Sequence, residues 1–264
     1  MSPIEHGKRG ARMMRSYDAA FFNYVNSGAI QSARHLLPIL SGSLQIGSVL
    51  DVGCGQGAWL AVWQTLGARE ILGIDGEYVE RERLLIPADC FRAHDLRQDF
   101  DLGRRFDLVQ SLEVAEHLPK SAAARFIGNL VRHGDLVLFS AAAPGQGGDH
   151  HVNEQDYNYW RALFATHGYV PLDCVRPRLL GDERIERWYR YNTMLYAAAG
   201  IWSALPEALR RSRVEVDQPI ADLSPPAYRL RKSLIRLLPV PVMTALAKIK
   251  ERRVARARAS ARND

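Results

Sequence analysis

The chain has 264 residues, 47% of them apolar, and a formal net charge of +6. It has room for one α/β domain with appendages. No run reaches the ~20 apolar residues of a membrane span, and the charged start MSPIEHGKRGARMM has no apolar stretch of the kind a signal peptide carries.

The charge is uneven. Residues 229–264 hold 11 Lys/Arg against 2 Asp/Glu, which leaves the body of the chain at about −3. That balance argues against a nucleic-acid channel through the body, and no DNA partner is expected. Cys54, Cys90 and Cys174 are far apart and odd in number. They match neither a disulfide framework nor a zinc spacing, so a reducing cytoplasm is the expected compartment.

In chain order, residues 16–40 are predicted helical in two pieces, broken near Asn26-Ser27-Gly28. Their aromatics Tyr17, Phe21, Phe22 and Tyr24 suggest a lid, so residues 1–44 are expected to form a helical cap. SVLDVG reads as a buried parallel strand, with a helix opening near Ala58. Then follow the strand EILGID (70–75), the helix GEYVERERLL, the strand CFRAHD (90–95) and the strand FDLVQSL (106–112). The helix KSAAARFIGNLVRHG and the strand DLVLFSAAA (135–143) come next, then a glycine-rich loop and the helix NEQDYNYWRALFATHG. A strand near YVPLDCV and a late strand within RWYRYNTMLYAAA complete the pattern. Alternation at this spacing predicts an open, mostly parallel sheet with helices on both faces, over residues 45–200. Residues 201–264 read as a linker, with four prolines between 203 and 227, and a basic amphipathic tail split by Pro239 and Pro241. That tail is expected to be solvated or to touch anionic lipid. His94, His133 and His167 read as surface residues.

VLDVGCGQGAWL carries the strongest signal. A strand ends at Asp51, and Gly53, Gly55 and Gly57 turn the chain into a helix, bringing backbone close to a ligand. Read alone, these glycines with Asp75 also fit a dinucleotide site. Three features point away from NAD. Asp51, just before the glycines, suits a cofactor with an ammonium group. Asp95, at another strand end, is placed to pair with an adenine amino group. The last elements suggest an antiparallel pair rather than a second mononucleotide half.

The series LDVGCGQG, GID, HDL and FDLVQSLEVAEHL, over roughly residues 45–198, resembles the motifs of class I S-adenosylmethionine-dependent methyltransferases. The resemblance implies a Rossmann-like, seven-stranded, mostly parallel sheet. It implies that Gly53, Cys54, Gly55 and Gly57, with Asp51, hold the amino-acid part of S-adenosylmethionine. Asp75, followed by Gly76, would take the ribose hydroxyls, Asp95 and Leu96 would flank adenine, and Ser111 and Leu112 to Glu113 would line the site.

SLEVAEHLP and GGDHHVNEQ are loops at the carboxyl ends of adjacent strands, where this fold class binds ligands. Glu113, Glu116 and His117 can therefore face His150 or His151. In one reading Glu113, Glu116, His117 and His151 hold Mg²⁺, Mn²⁺, Fe²⁺ or Zn²⁺. Glu113 and Glu116 would share the face of a helical turn, and the cation would lower the pKa of an acceptor hydroxyl. The E-x-x-E-H spacing is similar to the metal motif of ubiquinone-pathway O-methyltransferases and small-RNA terminal 2′-O-methyltransferases. In the other reading there is no metal: His150 or His151 is a general base, and the carboxylates Glu113 and Glu116 cap a helix or pair with His117. Tyr157, Tyr159, Trp160, Trp188, Tyr189 and Tyr191 could ring an acceptor pocket. The stretch GQGG…HHVNEQ…YW, with SARHLLPIL upstream, resembles bacterial methyltransferases of polysaccharide, glycolipid and natural-product pathways. O-methylation of a sugar or small polyol is the activity implied. An RNA ribose 2′-O-methyltransferase, or a carboxyl or N-methyltransferase of a small metabolite, is the alternative.

Overall fold

The computed structural model describes residues 19–237, with side chains from residue 26 onward. A seven-stranded sheet organises it: β1 (Ser48–Val52), β2 (Glu70–Asp75), β3 (Phe91–Ala93), β4 (Leu108–Leu112), β5 (Leu136–Ser140), β6 (Tyr169–Leu172) and β7 (Met194–Ala198). Their order is β3-β2-β1-β4-β5-β7-β6. The first five are parallel, and β7 runs antiparallel between β5 and β6. The order reverses at β1 and β4, so their carboxyl ends open a crevice.

Strand residues alternate between two cores, as a sheet buried on both faces requires. Val49, Leu108 and Leu138 join the core beneath α1 (Ala19–Ser41) and α2 (Ala58–Thr65). Leu50, Val109 and Phe139 join the other, beneath α3 (Ala123–His133) and α4 (Tyr157–Ala165). The remaining helices are α5 (Arg176–Leu179), α6 (Arg187–Asn192), α7 (Glu207–Arg210) and α8 (Pro226–Ile235).

Several elements differ from the sequence expectation. α1 is continuous through Asn26-Ser27-Gly28, because those residues serve close approach rather than a break. The Asn26 amide donates to Gln56 Oε1 at 2.6 Å, and a Cβ on Gly28 would stand 2.9 Å from Glu186 Oε1. The run after β2 forms only a short 3₁₀ turn, Arg81–Arg83. Leu85 N donates to Gln56 O, and Ile86 packs on Gly57, so this run is drawn onto the glycine turn instead of coiling. Trp188, Tyr189 and Tyr191 lie on α6 rather than a strand. Tyr189 meets Trp59 edge-on at 4.9 Å, and Thr193 Oγ1 donates back to Tyr189 O; tertiary packing overrides β-propensity here. His133 is fully buried, not at the surface: its ring stacks on Phe100, Nδ1 meets Asn129 O, and Nε2 accepts from Leu102 N. His94 is half-buried, and His167 is exposed.

Residues 203–227 are packed on the domain. Arg161 donates to backbone carbonyls at Val214, Glu215 and Gln218, Arg176 Nη1 donates to Ala221 O at 2.9 Å, and Ile220 is buried. α8 then crosses the loop after β5. Arg231 Nη1 donates to Gln146 O at 3.2 Å, and a Cβ on Gly145 would stand 2.0 Å from Lys232 O. The side chains of Tyr17, Phe21, Phe22 and Tyr24 and the tail from residue 238 onward lie outside what the structure describes. Among the described residues no helix is long and apolar enough to cross a membrane.

Candidate active site at the carboxyl edge of the sheet

The turn after β1 runs through Gly53, Gly55 and Gly57 at φ of 87°, 54° and 84°. Gly53 N donates to Ile74 O at 2.7 Å, and a Cβ on Gly53 would lie 2.3 Å from Val114. At Gly57 a Cβ would lie 2.8 Å from Ile86, whereas in front of Gly55 nothing stands within 4 Å. The turn is therefore closed on two sides and open at Gly55. Its α2 end presents helix amides to that opening.

Two acids flank the opening. Asp75 accepts from Gly55 N (Oδ2, 2.7 Å), from Gly76 N (Oδ1, 2.7 Å) and from the Tyr78 hydroxyl. Burial raises its pKa against those bonds. Asp51 is 2% exposed, and burial pushes its carboxyl up to about 7, with the nearby Gln110 side chain opposing and the charge of Asp75 adding. The Cys54 side chain turns into the core, where a Cβ on Gly73 would meet its Sγ at 2.6 Å, so only Cys54 backbone faces the turn. Asp95 forms a bidentate pair with Arg97, both bonds at 2.8 Å, which holds its carboxyl below the usual range. Leu96 and Leu112 are buried, and Ser111 is buried with no hydrogen-bond partner for its Oγ.

Past β4 the chain passes through Glu113 in a left-handed conformation (φ 57°), with Glu113 N donating to Ser140 O and Oγ. Its carboxylate accepts from Gln146 Nε2 at 2.6 Å and from Asn192 Nδ2 at 3.1 Å. Asn192 Nδ2 also donates to Gln146 Oε1, and the Tyr157 hydroxyl donates to Asn192 Oδ1. Glu113, expected among metal ligands, is thus committed elsewhere. The helical turn Ala115–His117 starts only after it, so Glu113 and Glu116 do not share a helical face.

Glu116, His117 and His151 do come together, each offering a ligand atom within 4.8 Å of the others. Glu116 is fully buried and neither carboxylate oxygen has a hydrogen-bond partner. Burial, then the charge of Glu113, holds its carboxyl well above the usual range, only partly offset by the nearby Glu116 and Ala142 amides. An isolated buried carboxylate is costly unless something pairs with it. His117 keeps a solvent-exposed edge, while the chain packed around it and the His151 ring lower its pKa. The two rings lie 4.9 Å apart, edge to face.

His151 is oriented by Glu154, which holds its Nδ1 at 2.8 Å. Glu154 also accepts from Gly145 N and Gly147 N, so one carboxylate shapes the whole loop. Burial works to raise the Glu154 pKa, but the His151 bond and charge with those amides outweigh it and leave it lowered. His150, at φ 56°, turns instead toward Asp149 at 3.5 Å. Of the adjacent histidines only His151 belongs to the cluster.

The aromatic ring expected around an acceptor does not form. Trp160 packs on Phe139 in the core, Tyr189 on Trp59, and Tyr157 contributes only its hydroxyl. Sequence reasoning missed Gln146, Glu154, Asn192 and Tyr78. Gln146 and Glu154 sit in the loop already singled out, and Tyr78 lies three residues past Asp75, whereas Asn192 has no local signal.

This donor set fits a divalent cation, with an orphaned carboxylate and two imidazoles, one imidazole braced by a second carboxylate. The open glycine turn between two buried acids fits a nucleoside carrying an ammonium group.

A family model described as a methyltransferase domain matches residues 22–174. No curated protein matches the chain. Among solved structures the fold is similar to DesVI of Streptomyces venezuelae, at 17% identity over 70% of this chain and 100% of that one, TM-score 0.49. It is similar to the sugar N-methyltransferase KedS8 of Streptoalloteichus, at 18% identity over 75% and 93%, TM-score 0.48. A third is the magnesium protoporphyrin IX methyltransferase of Synechocystis, at 18% identity over 70% and 86%, TM-score 0.47. At such scores the likeness says nothing about substrate.

Proposed function

From the premise that the chain belongs to the methyltransferase-domain family and is a class I S-adenosylmethionine-dependent methyltransferase, we propose that it O-methylates a hydroxyl of a sugar or other small polyol. The observation that carries this is the Glu116–His117–His151 cluster beside the open glycine turn. A hydroxyl is a poor nucleophile even when neutral and gains most from a cation or a base, whereas an amine, once neutral, attacks through its own lone pair. Glu113, Gln146 and Asn192 offer donors and acceptors together, which suits the several hydroxyls of a polyol.

When bound, the cofactor supplies an electrophilic methyl group on a sulfonium. The Gly53–Gly57 backbone and Asp51 would hold its amino-acid end, and Asp75, which accepts from the Tyr78 hydroxyl, would hold the ribose. Glu116, His117 and His151 would hold a divalent cation that lowers the acceptor hydroxyl pKa. A metal-free reading is favoured by the Glu154 bond to His151 Nδ1, which leaves the other ring nitrogen to take the hydroxyl proton. Methyl transfer then requires only alignment. Labelled S-adenosylmethionine offered with sugars, RNA and small acids tests the acceptor class; label on RNA or on acids alone would sink the proposal. Loss of turnover in EDTA, restored by Mn²⁺ or Zn²⁺, favours the cation over the base.

Asp51 makes cofactor binding pH-dependent. Its folded pKa of about 7 lies above the ordinary 3.8, so the free protein holds the proton more tightly than the unfolded chain does. The stability this group contributes is fully present below about pH 4 and lost as pH rises through 7, about 4 kcal/mol in all. A bound ammonium favours the carboxylate, so S-adenosylhomocysteine affinity is expected to rise as pH climbs from 5.5 to 7.5. Asp51→Asn should flatten both curves; calorimetric titration and thermal melts across that range would reveal unchanged slopes if the assignment is wrong.

We also propose that α8 rests on an anionic lipid surface. Leu230, Leu234 and Leu237, spaced like one helical face, are 63%, 59% and 81% exposed, with Arg229 and Arg236 exposed beside them. The full chain should float with phosphatidylserine vesicles at low salt, and Leu230→Ser/Leu234→Ser should not; equal flotation of both would dismiss the contact.

A further inference from the structure

Two buried cations among the described residues pair with an acid. Arg176, 1% exposed, pairs with Asp173 at 2.7 Å, and Lys232, 6% exposed, pairs with Asp222 at 2.5 Å. Arg190 breaks the pattern. It is buried at 6% exposure, Nη2 donates to Ile185 O at 2.7 Å, and Nε has no partner. No described carboxylate forms an ion pair with it. A guanidinium so placed lacks the anion that burial of charge calls for.

Two more unpaired cations stand around it. On α6, Arg187, Arg190 and Tyr191 are spaced three and four apart and share a face. Arg190 lies over the Tyr191 ring at 5.6 Å. Tyr191 and Tyr228 are 6.0 Å apart, and Arg187 and Arg231 lie over Tyr228 at 5.8 and 5.6 Å. Neither Arg187 nor Arg231 has an ion-pair partner among the described residues. The cluster adjoins the acceptor network, since Arg231 donates to Gln146 O and the residue after Tyr191 is Asn192, which holds Glu113.

We infer that Arg187, Arg190 and Arg231, set around Tyr191 and Tyr228, bind an anionic group of the acceptor, a carboxylate or a phosphate. The inference rests on the acceptor side of the site being where the Proposed function puts it, and it narrows the acceptor to an acidic sugar or a phosphate-linked one. Guanidinium forks match both oxyanions bidentately. The acceptor would lie with its charged group at α6 and α8 and a hydroxyl toward Glu116 and His151.

The test uses the full chain with S-adenosylhomocysteine present. Thermal melts are run with millimolar pyrophosphate or glucuronate, against sodium chloride of equal ionic strength. The expected result is a rise of at least about 2 °C over the salt control with one of the two anions, and which one tells phosphate from carboxylate. Arg187→Ala/Arg231→Ala should lose that rise, and Arg187→Lys/Arg231→Lys should keep part of it. No rise with either anion, or an equal rise in the alanine variant, overturns the inference. A missing shift with S-adenosylhomocysteine itself would instead count against the cofactor assignment and leave the anion result readable.

Discussion

Gly53→Ala is expected to abolish cofactor binding and to lower stability by about 2–5 kcal/mol. Two costs add. At φ 87° a side chain is strained, and the new Cβ would lie 2.3 Å from Val114. The backbone cannot withdraw, because Gly53 N and Cys54 N both donate to Ile74 O. Displacing Val114 would disturb the loop that carries Glu113 and Glu116, so damage at the glycine turn should reach the acceptor side. Adding Val114→Ala removes the overlap and leaves the strain, so stability should recover in part and cofactor affinity much less. Calorimetric titration with S-adenosylhomocysteine measures the first effect and denaturant melts the second. Affinity within threefold of the parent would show that the turn does not hold the cofactor.

Glu116→Met should do two opposite things. Methyl transfer should fall by about 10²-fold or more, because the one fully buried member of the cluster is gone. The metal-free fold should become more stable by about 1–3 kcal/mol, since a thioether of similar size replaces a carboxylate whose oxygens meet no donor. Mn²⁺ should raise the melting temperature of the parent and leave the variant unmoved. A variant that is less stable yet active would contradict both the cation site and the account of Glu116 as a buried carboxyl without a hydrogen-bond partner.

What the sequence discloses and what it hides follow from how far apart the interacting groups lie. The glycine turn was legible because the backbone alone demands glycine at Gly53 and Gly57, and Asp51 and Asp75 stand at strand ends. The late run RWYRYNTMLYAAA suggests a strand, and only its second half, Met194–Ala198, forms one. GEYVERERLL was misleading because helix-forming residues were outweighed by contacts of Leu85 and Ile86 with the turn. Glu113 and Glu116 look equivalent in E-x-x-E-H, yet a left-handed residue separates their fates, one to an amide network and one to the histidines. The Glu113–Asn192 bond spans 79 residues and leaves no periodic trace. The first helix of the tail has the composition of a solvated appendage, yet Lys232 and Arg231 turn inward.

That inward turn bears on how the molecule is made. The glycine turn, the two acids beside it and the Glu116–His117 pair are all present once the chain has grown past β4. Glu113 waits for Asn192, and the Gly145 loop waits for α8 to lie across it. Domains fold as units. The acceptor side, built from contacts between residues far apart in the chain, is therefore complete only when α6 and α8 are in place.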